Sequence, residues 1–177
     1  MMFAVNHLAP FLLTNLLMDR LCEGKHNLRV VVTASGAYSF VKRLNLEDPT
    51  YEQGFKTFTA YGNSKLANIL FTRTLAQKLE TAAPQKTCSV NCFHPGFVGT
   101  GIGTQVWYGK LVMLACKPFV RSPAKGAQTG LFLALDPSVE GHSGDYYFDC
   151  KIEKTGRQAR DDNMAETLWE KSVAWTA

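Results

Sequence analysis

Residues 60–71 read AYGNSKLANILF and form the centre of a longer amphipathic pattern, which predicts a helix from Thr59 to Glu80 with Thr59 as its N-cap. Residues 28–34, LRVVVTA, are a short β-branched run that is apolar on both faces, as in a buried parallel strand. A second strand is predicted from Thr87 to Phe93. Strand, helix and strand in this order are typical of a βαβ unit, and therefore of an α/β fold with a parallel sheet.

Further elements flank this unit. The apolar spacing of residues 3–21 predicts a helix that ends near residue 24, and the polar residues 36–58 predict a long loop. The later elements are predicted to be a helix at 123–135, a short strand at 146–148 and a final helix at 163–175. Ligands of parallel sheets bind at the carboxyl ends of the strands. Ser35 and the sequence His94-Pro95-Gly96 each follow a strand, so we expect both at that edge.

Composition excludes several classes of protein. The chain has 177 residues and a formal charge of +4, and its basic residues are scattered, which argues against a nucleic-acid partner. Five dispersed cysteines without a CxxC pair predict reduced thiols in a cytoplasmic protein. Cys88 and Cys92 are expected to pack on one face of their strand. The sequence has no apolar run of membrane-spanning length and no signal-peptide pattern at its start.

A tyrosine followed four residues later by a lysine is a weak motif by itself. The pattern occurs three times, at Tyr38/Lys42, Tyr61/Lys65 and Tyr147/Lys151. The first pair lies in the predicted loop and the third at a strand end. Because residues four apart share one face of a helix, only Tyr61 and Lys65 have a spacing that fixes their geometry.

This pair suits acid/base chemistry. A free phenol titrates near pH ~10 and is a poor base at neutral pH, but a nearby cation favours its charged form. Lys65 supplies such a cation, and Ser35 could hydrogen-bond a substrate oxygen and orient it toward Tyr61. Ser35 taken alone is better interpreted as a hydroxyl that satisfies a turn at the end of the strand. We prefer the functional interpretation because the three residues occur together.

Asn6 and His94 are two further polar residues that have more than one interpretation. Asn6 is disfavoured inside a helix, so it either faces solvent or caps a helix, or else it binds a water and extends a proton relay. His94 is interpreted as a turn residue rather than a metal ligand, because no His or acidic partner lies at ligand spacing. The aspartates late in the chain are interpreted as surface residues or caps.

Together these stretches resemble the short-chain dehydrogenase/reductase family. The resemblance rests on VNHLAPFLLTNLL, RVVVTAS, AYGNSKLANILF and HPGFVGT, and it covers almost the whole chain. SKLANILFTRTLAQKL, GHSGDYYFDC and ETLWEKS are similar to the retinol dehydrogenase-like branch, which includes the WW-domain oxidoreductases. The implied fold is a Rossmann-like, doubly wound parallel sheet, with residues 1–177 as a single partial domain.

The resemblance also implies roles by position. Tyr61 would be the catalytic acid/base, Lys65 would assist it and hold the nicotinamide ribose, and Ser35 would orient the carbonyl or alcohol. Asn6 would position the relay water. Contacts with the nicotinamide end of NAD or NADP are implied for a short set of residues: Tyr61, Lys65, Pro95, Gly96, Val98 and Thr100. Residues 106–120 would form a lid over an apolar substrate, or else a helix packed on the core.

The sequence departs from the family pattern at its start. The family begins with a strand, a glycine-rich turn and a helix that binds the pyrophosphate, and none of these is present in this sequence. GTGIG at residues 99–103 is no substitute, since it follows a later strand. We therefore expect the C-terminal part of the sheet, with the N-terminal strands missing and the strand at 28–34 left with an unpaired edge. A membrane anchor is expected only in a longer form.

Two functions remain open from the sequence. The first is an NAD(P)-dependent oxidoreductase that transfers hydride to or from a small apolar alcohol or carbonyl compound, such as a retinoid, a steroid or a lipid aldehyde. The second is a truncated, catalytically inactive chain that binds a partner or has no function. Two copies could also complete each other's sheets as a homodimer.

Overall fold

The computed structural model describes residues 1–23, 28–54, 56–82, 88–98 and 120–177. Its strands lie in the order β1-β2-β3-β4, where β1 is Leu28–Thr33, β2 is Cys88–Phe93, β3 is Tyr146–Phe148 and β4 is Lys151–Ile152. β1, β2 and β3 run parallel, and β4 pairs antiparallel with β3. The predicted α/β fold with a mostly parallel sheet is confirmed.

The helices of the described residues surround this sheet. They are α1 at Ala9–Leu16, α2 at Met18–Cys22, α3 at Thr57–Ala82, α4 at Pro123–Leu135 and α5 at Asp162–Thr176. A π-helical turn, Ala4–Leu8, precedes α1, and short 3-10 helices lie at Gly36–Phe40, Pro137–Val139 and Arg157–Arg160. None of the helices in the described ranges combines the length and the apolarity needed to cross a bilayer.

Both faces of the sheet are covered, which explains why the strands are apolar on both sides. In β1, Val30 and Val32 belong to a large core, whereas Val31, which points to the opposite face, packs against a smaller one. The large core contains residues of α1, α2, α3 and α5. The small core is formed by α4, the turn after it, and the alternate residues of β2 and β3: Phe93, Leu133, Val139 and Tyr147. Cys88 and Cys92 both face the large core, as expected.

α3 is the most deeply buried helix of the described part of the chain. Leu66, Ala67 and Leu70 have no exposed surface, and polar neighbours such as Asn63 and Ser64 are equally buried. Gly62 allows the close approach of α3 to the 3-10 helix Gly36–Phe40. A Cβ atom at residue 62 would lie 2.7 Å from the carbonyl oxygen of Ala37 and 2.9 Å from a methyl group of Val41.

The N-terminal helix is interrupted, contrary to the single helix predicted from residue 3 to 21. The backbone first forms the π-helical turn, in which the amide of Ala9 donates to the carbonyl of Ala4, five residues earlier. Pro10 has no N–H, so the carbonyl of Asn6 loses the donor that an α-helix would provide four residues later. π-Helical turns are rare and occur frequently at functional sites. Here the turn contains Asn6.

Two local predictions were wrong. Thr59 is not an N-cap, because α3 begins at Thr57. The predicted loop at 36–58 includes the 3-10 helix Gly36–Phe40, in which Tyr38 is buried against the large core. The Tyr38 hydroxyl accepts a hydrogen bond from the amide of Gly156, 118 residues away. Such long-range packing is invisible to local sequence patterns.

The burial of His7 makes the stability of the fold depend on pH. His7 is almost fully buried among Phe3, Phe11 and Phe71, and its Nε2 lies 2.9 Å from the Ser172 hydroxyl. Burial lowers the pKa of His7 from 6.5 to about 4. Between these two values the unfolded chain binds a proton that the folded chain does not, so stability falls as the pH falls.

We expect the His7 ring to account for a loss of about 2 kcal/mol in unfolding free energy between pH 7 and pH 5. Urea denaturation of the wild type and of His7→Gln at both pH values measures it, because the glutamine does not titrate. An equal loss in both proteins would contradict the assignment.

Gly62→Ala tests the contact between α3 and the 3-10 helix. The added methyl group must displace the Ala37 carbonyl, and this cost should exceed the gain in helix propensity, with a net loss of about 1–2 kcal/mol. Gly36→Ala is the control, since its nearest neighbour would lie at 3.7 Å. Equal urea midpoints for the two variants would show that the 3-10 helix moves freely.

Candidate active site

The carbonyl oxygen of Thr33, the last residue of β1, accepts two side-chain hydrogen bonds from α3. Lys65 Nζ donates to it at 3.0 Å and Asn68 Nδ2 at 3.2 Å. These two residues are one turn apart and share a face of the helix. The contacts join α3 to the carboxyl end of β1, two residues before Ser35.

Lys65 lies beside Tyr61 in a largely buried position. Its Nζ is 5.6 Å from the centre of the Tyr61 ring, and the lysine is only 9% exposed. Burial lowers the pKa of Lys65, because a desolvated ammonium is costly. An ammonium group has three N–H donors, and Thr33 uses one of them. The others can serve a bound molecule.

Asn6 is joined to the same helix through Ser64. Asn6 Nδ2 donates to Ser64 Oγ at 3.0 Å, and Ser64 Oγ donates to the carbonyl of Tyr61 at 2.7 Å. This chain of hydrogen bonds connects the π-helical turn to the first part of α3. The side chain of Asn6 is therefore partly buried and hydrogen-bonded within the protein.

Ser35 is half-buried at the start of the 3-10 helix Gly36–Phe40. Its Oγ accepts a hydrogen bond from the amide of Ala37 at 3.2 Å, as an N-cap does. This bond occupies the oxygen as an acceptor and leaves the hydroxyl proton for another partner. The turn interpretation of Ser35 is thus compatible with the orienting role and does not replace it.

The residues after β2 lie at the same edge of the sheet. The ring of His94 approaches Gly36, where a Cβ would be 3.7 Å from the imidazole. His94 Nδ1 accepts a hydrogen bond from the amide of Gly96 at 3.1 Å, and Gly96 has a left-handed φ of +79°. Val98 forms an isolated parallel bridge with Arg121. Thr100 and residues 106–119 of the predicted lid lie outside the described residues.

Arg121 and Asp149 form an ion pair that no pattern in the sequence predicts. Both guanidinium nitrogens of Arg121 donate to the two carboxylate oxygens of Asp149, one of them at 2.9 Å. This hydrogen-bonded partner holds the pKa of Asp149 below its usual range. Asp149 had been interpreted as a surface residue or a cap. Its partner is 28 residues away and only the fold brings the two together.

Ser64 and Asn68 are the residues of α3 that sequence reasoning missed. Neither residue is among the site residues that the sequence predicts. Both follow Tyr61 at spacings that keep them on one side of the helix, and both are buried. A polar residue on an otherwise apolar buried face is a signal that could have identified them.

The structure separates Tyr61 and Lys65 from the two other tyrosine–lysine pairs. Tyr38 is a core residue whose hydroxyl binds the Gly156 amide. Tyr147 belongs to the small core, and burial raises its pKa. Neither tyrosine has a described contact with the lysine four residues later.

A cavity of about 510 Å³ lies at the opposite, amino end of β1 and β2. Its arginines already have partners, since Arg29 donates to the carbonyls of Leu133 and Asp136, and Arg73 pairs with Asp162 at 2.6 Å. Lys65 and Asn68 bind the Thr33 carbonyl at the carboxyl end of β1, which is the other end of the sheet from this cavity.

Comparisons with known proteins agree with the fold. The sequence model described as short chain dehydrogenase matches residues 1–110. The chain is 42% identical to retinol dehydrogenase 14 of Mus musculus and of Homo sapiens, with 96% of this chain and 50% of each relative covered. It is 38% identical to retinol dehydrogenase 12 of Mus musculus, with 96% and 52% covered.

A solved structure of an uncharacterized protein from Mycobacterium Paratuberculosis superimposes with a TM-score of 0.71 at 28% sequence identity, covering 98% of this chain and 57% of that one. The chain thus spans about half the length of the curated relatives it matches. With its parallel sheet and its shared motifs, the chain belongs to the short chain dehydrogenase family, in the retinol dehydrogenase-like branch.

Proposed function

We propose that this chain is part of an NAD(P)-dependent oxidoreductase that transfers hydride between a nicotinamide cofactor and an apolar alcohol or carbonyl compound. We also propose that residues 1–177 form a single partial domain of the Rossmann type. The observation that supports the function best is the attachment of Lys65 to the end of β1, with its ammonium 5.6 Å from the Tyr61 ring.

Tyr61 would give a proton to the substrate oxygen or take one from it. The Lys65 ammonium, 5.6 Å from the centre of the Tyr61 ring, would stabilise negative charge on the tyrosine oxygen after the proton leaves. Ser35 would donate its free hydroxyl proton to the same substrate oxygen and hold it in place. Asn6, through the π-helical turn, would bind the water that returns a proton to this site.

The residues present fit the nicotinamide end of a dinucleotide. Lys65 uses one ammonium proton on the Thr33 carbonyl and has two more to donate to ribose hydroxyls. Pro95, Gly96, Val98 and Thr100 would line the nicotinamide. The bound cofactor would supply or accept the hydride. NAD and NADP are not distinguished by these residues.

The names of the relatives, which are retinol dehydrogenases, support a choice of substrate class. We propose an apolar primary alcohol or its aldehyde, with retinol and retinal as the compounds to try first. Steroids and lipid aldehydes are the next candidates, because all of them present one oxygen on an apolar body.

Replacing Tyr61 by Phe tests the acid/base role. Dinucleotide binding should persist, while retinal reduction should fall by at least about 100-fold, since the proton donor is lost. Binding is measured by fluorescence titration with NADPH and NADH, and turnover by the loss of NADPH absorbance. Tyr147→Phe is the matched control and should keep its activity. Full activity of Tyr61→Phe would refute the mechanism.

Replacing Lys65 by Met separates function from stability. The variant should lose at least about tenfold in dinucleotide affinity. Its unfolding free energy should stay the same or rise by about 1 kcal/mol, because a desolvated cation is removed and Asn68 still donates to Thr33.

Lys56→Met, an exposed lysine just before α3, is the control and should change neither quantity. Urea denaturation and calorimetric titration with NADP⁺ give the two readouts. A Lys65→Met protein that binds the dinucleotide as well as the wild type would contradict the proposed ribose contact.

A second candidate function is the binding of a partner without catalysis, and an exposed strand edge favours it. β1 pairs with β2, and no strand of the described residues pairs with its other edge. The N-terminal helices also expose apolar side chains: Leu12, Leu13, Leu16 and Leu17. Unpaired apolar edges associate readily with another chain, and a second copy is the simplest partner.

Light scattering distinguishes the two candidates. A dimer that binds no dinucleotide favours the partner-binding function. A monomer that binds NADPH favours the oxidoreductase and rules out sheet completion by a second copy.

A further inference from the structure

We propose that His94 is a positioning residue of this site. Its neutral imidazole holds the segment Pro95–Val98, through the amide of Gly96, in the shape that receives the nicotinamide end of the dinucleotide, and protonation of the ring releases that segment. This inference rests on the proposed function and adds a regulation of the same site by pH.

The hydrogen bond between His94 and Gly96 requires the neutral ring. Nδ1 accepts from the Gly96 amide at 3.1 Å, so the ring proton is on Nε2. An imidazolium carries a proton on both nitrogens and has no acceptor left. Protonation would therefore place two donors face to face and break the bond. The half-buried amide of Gly96 would then have to find a new partner.

The ring is fixed by stacking as well as by this bond. It lies parallel to Phe148, with ring centres 4.0 Å apart and planes at 7°, and it is stacked more distantly on Tyr146 at 5.8 Å. The ring therefore cannot swing away from Gly96 without breaking two aromatic contacts. Its orientation toward the loop is set by β3, the neighbouring strand.

Several groups surrounding His94 influence its charge. Burial lowers the pKa of His94 most, the Arg121 cation lowers it further, and the carboxylate of Asp149 opposes them. The Glu153 carboxylate lies 3.7 Å from Nε2, with the phenol of Tyr146 on one side. Because burial and Arg121 hold the pKa of His94 below its ordinary value of 6.5, the ring is neutral at physiological pH.

Arg121, which packs on the same Phe148 ring, holds the last part of the segment Pro95–Val98. The amide of Arg121 donates to the carbonyl of Phe97 at 2.8 Å, and the Arg121 guanidinium lies over the Phe148 ring at 4.4 Å. A Cβ at Gly96 would lie 2.6 Å from Arg121 Nε, so the segment has little space in which to shift. His94 fixes its first part and Arg121 its last part. Release of the first part should therefore distort the cofactor contacts.

Two substitutions separate the role of His94 as a hydrogen-bond acceptor from the titration of its ring. In His94→Asn, the side-chain oxygen occupies nearly the place of Nδ1, so it can accept from Gly96 but cannot titrate. His94→Leu removes the acceptor and keeps an apolar body. His142→Asn is the control, because His142 is half-exposed beside Asp145 at the amino end of the strands.

The first readout is made on the cofactor-free chain. The amide resonance of Gly96, followed by ¹H–¹⁵N NMR from pH 8 to pH 5, should move with the titration of His94 in the wild type and in His142→Asn. It should be independent of pH in His94→Asn. A Gly96 resonance that does not follow His94 overturns the inference without touching the proposed oxidoreductase function.

The second readout is the dissociation constant of NAD⁺, measured by calorimetry over the same pH range. NAD⁺ is chosen because it lacks the titrating 2′-phosphate of NADP⁺. Wild-type affinity should fall about tenfold in acid, as expected for the loss of one buried hydrogen bond. His94→Asn should bind well at every pH, and His94→Leu poorly at every pH.

The combined outcomes distinguish the two proposals. If the Gly96 resonance titrates but affinity does not change with pH, His94 has no positioning role and the proposed function stands. If no variant binds dinucleotide at any pH, the proposed function fails and the positioning role fails with it. The inference is supported if His94→Asn binds NAD⁺ well at every pH and His94→Leu binds it poorly at every pH.

Discussion

The carbonyl of Thr33 is the acceptor on which the arrangement of the site depends. As the last residue of β1, Thr33 exposes this oxygen at the carboxyl end of the sheet, where Lys65 and Asn68 of α3 both donate to it. A buried ammonium is costly, and a charge-assisted hydrogen bond to a fixed carbonyl offsets part of that cost. The two bonds position α3 along the sheet and thereby fix Tyr61 with respect to β1, the strand that Ser35 follows.

The N-terminal part of the chain also contacts α3, through the π-helical turn that contains Asn6. Pro10 cannot donate to the Asn6 carbonyl, and the chain forms a π-helical turn at this point. The turn directs the Asn6 side chain to Ser64, which in turn donates to the Tyr61 carbonyl. His7, the next residue, points into an aromatic cluster instead. Adjacent residues of one irregular turn thus contribute to the candidate site and to the core.

The loop after β2 is supported from β3 and not from its own strand. His94 stacks on Phe148, Arg121 covers the same ring, and Asp149 binds Arg121. The parallel pairing of β2 with β3 brings these residues to one edge. An aromatic ring that contacts both an imidazole and a guanidinium supports the loop, although the loop itself has little regular secondary structure.

The sequence by itself determined the class of fold and most of its elements. The β-branched run of β1 predicts a buried parallel strand, and the amphipathic pattern of α3 predicts a long helix. The spacing of apolar residues along the chain reflects the repeat of each element and the faces that it buries. The spacing of Tyr61 and Lys65 predicts a shared helix face, since four residues make about one turn. Family motifs then identified the short chain dehydrogenase fold, which the comparisons confirmed.

Only the tertiary structure decided which polar residues meet. Thr33 and Lys65, Asn6 and Ser64, and Arg121 and Asp149 are separated by 32, 58 and 28 residues. Local patterns also misplaced the start of α3 and predicted one continuous N-terminal helix, which the structure interrupts with a π-helical turn next to Pro10, a residue without an N–H donor. The physical reason is the same in each case. Hydrogen bonds and ion pairs depend on distances of a few ångströms between segments, and those distances exist only once both faces of the sheet are covered.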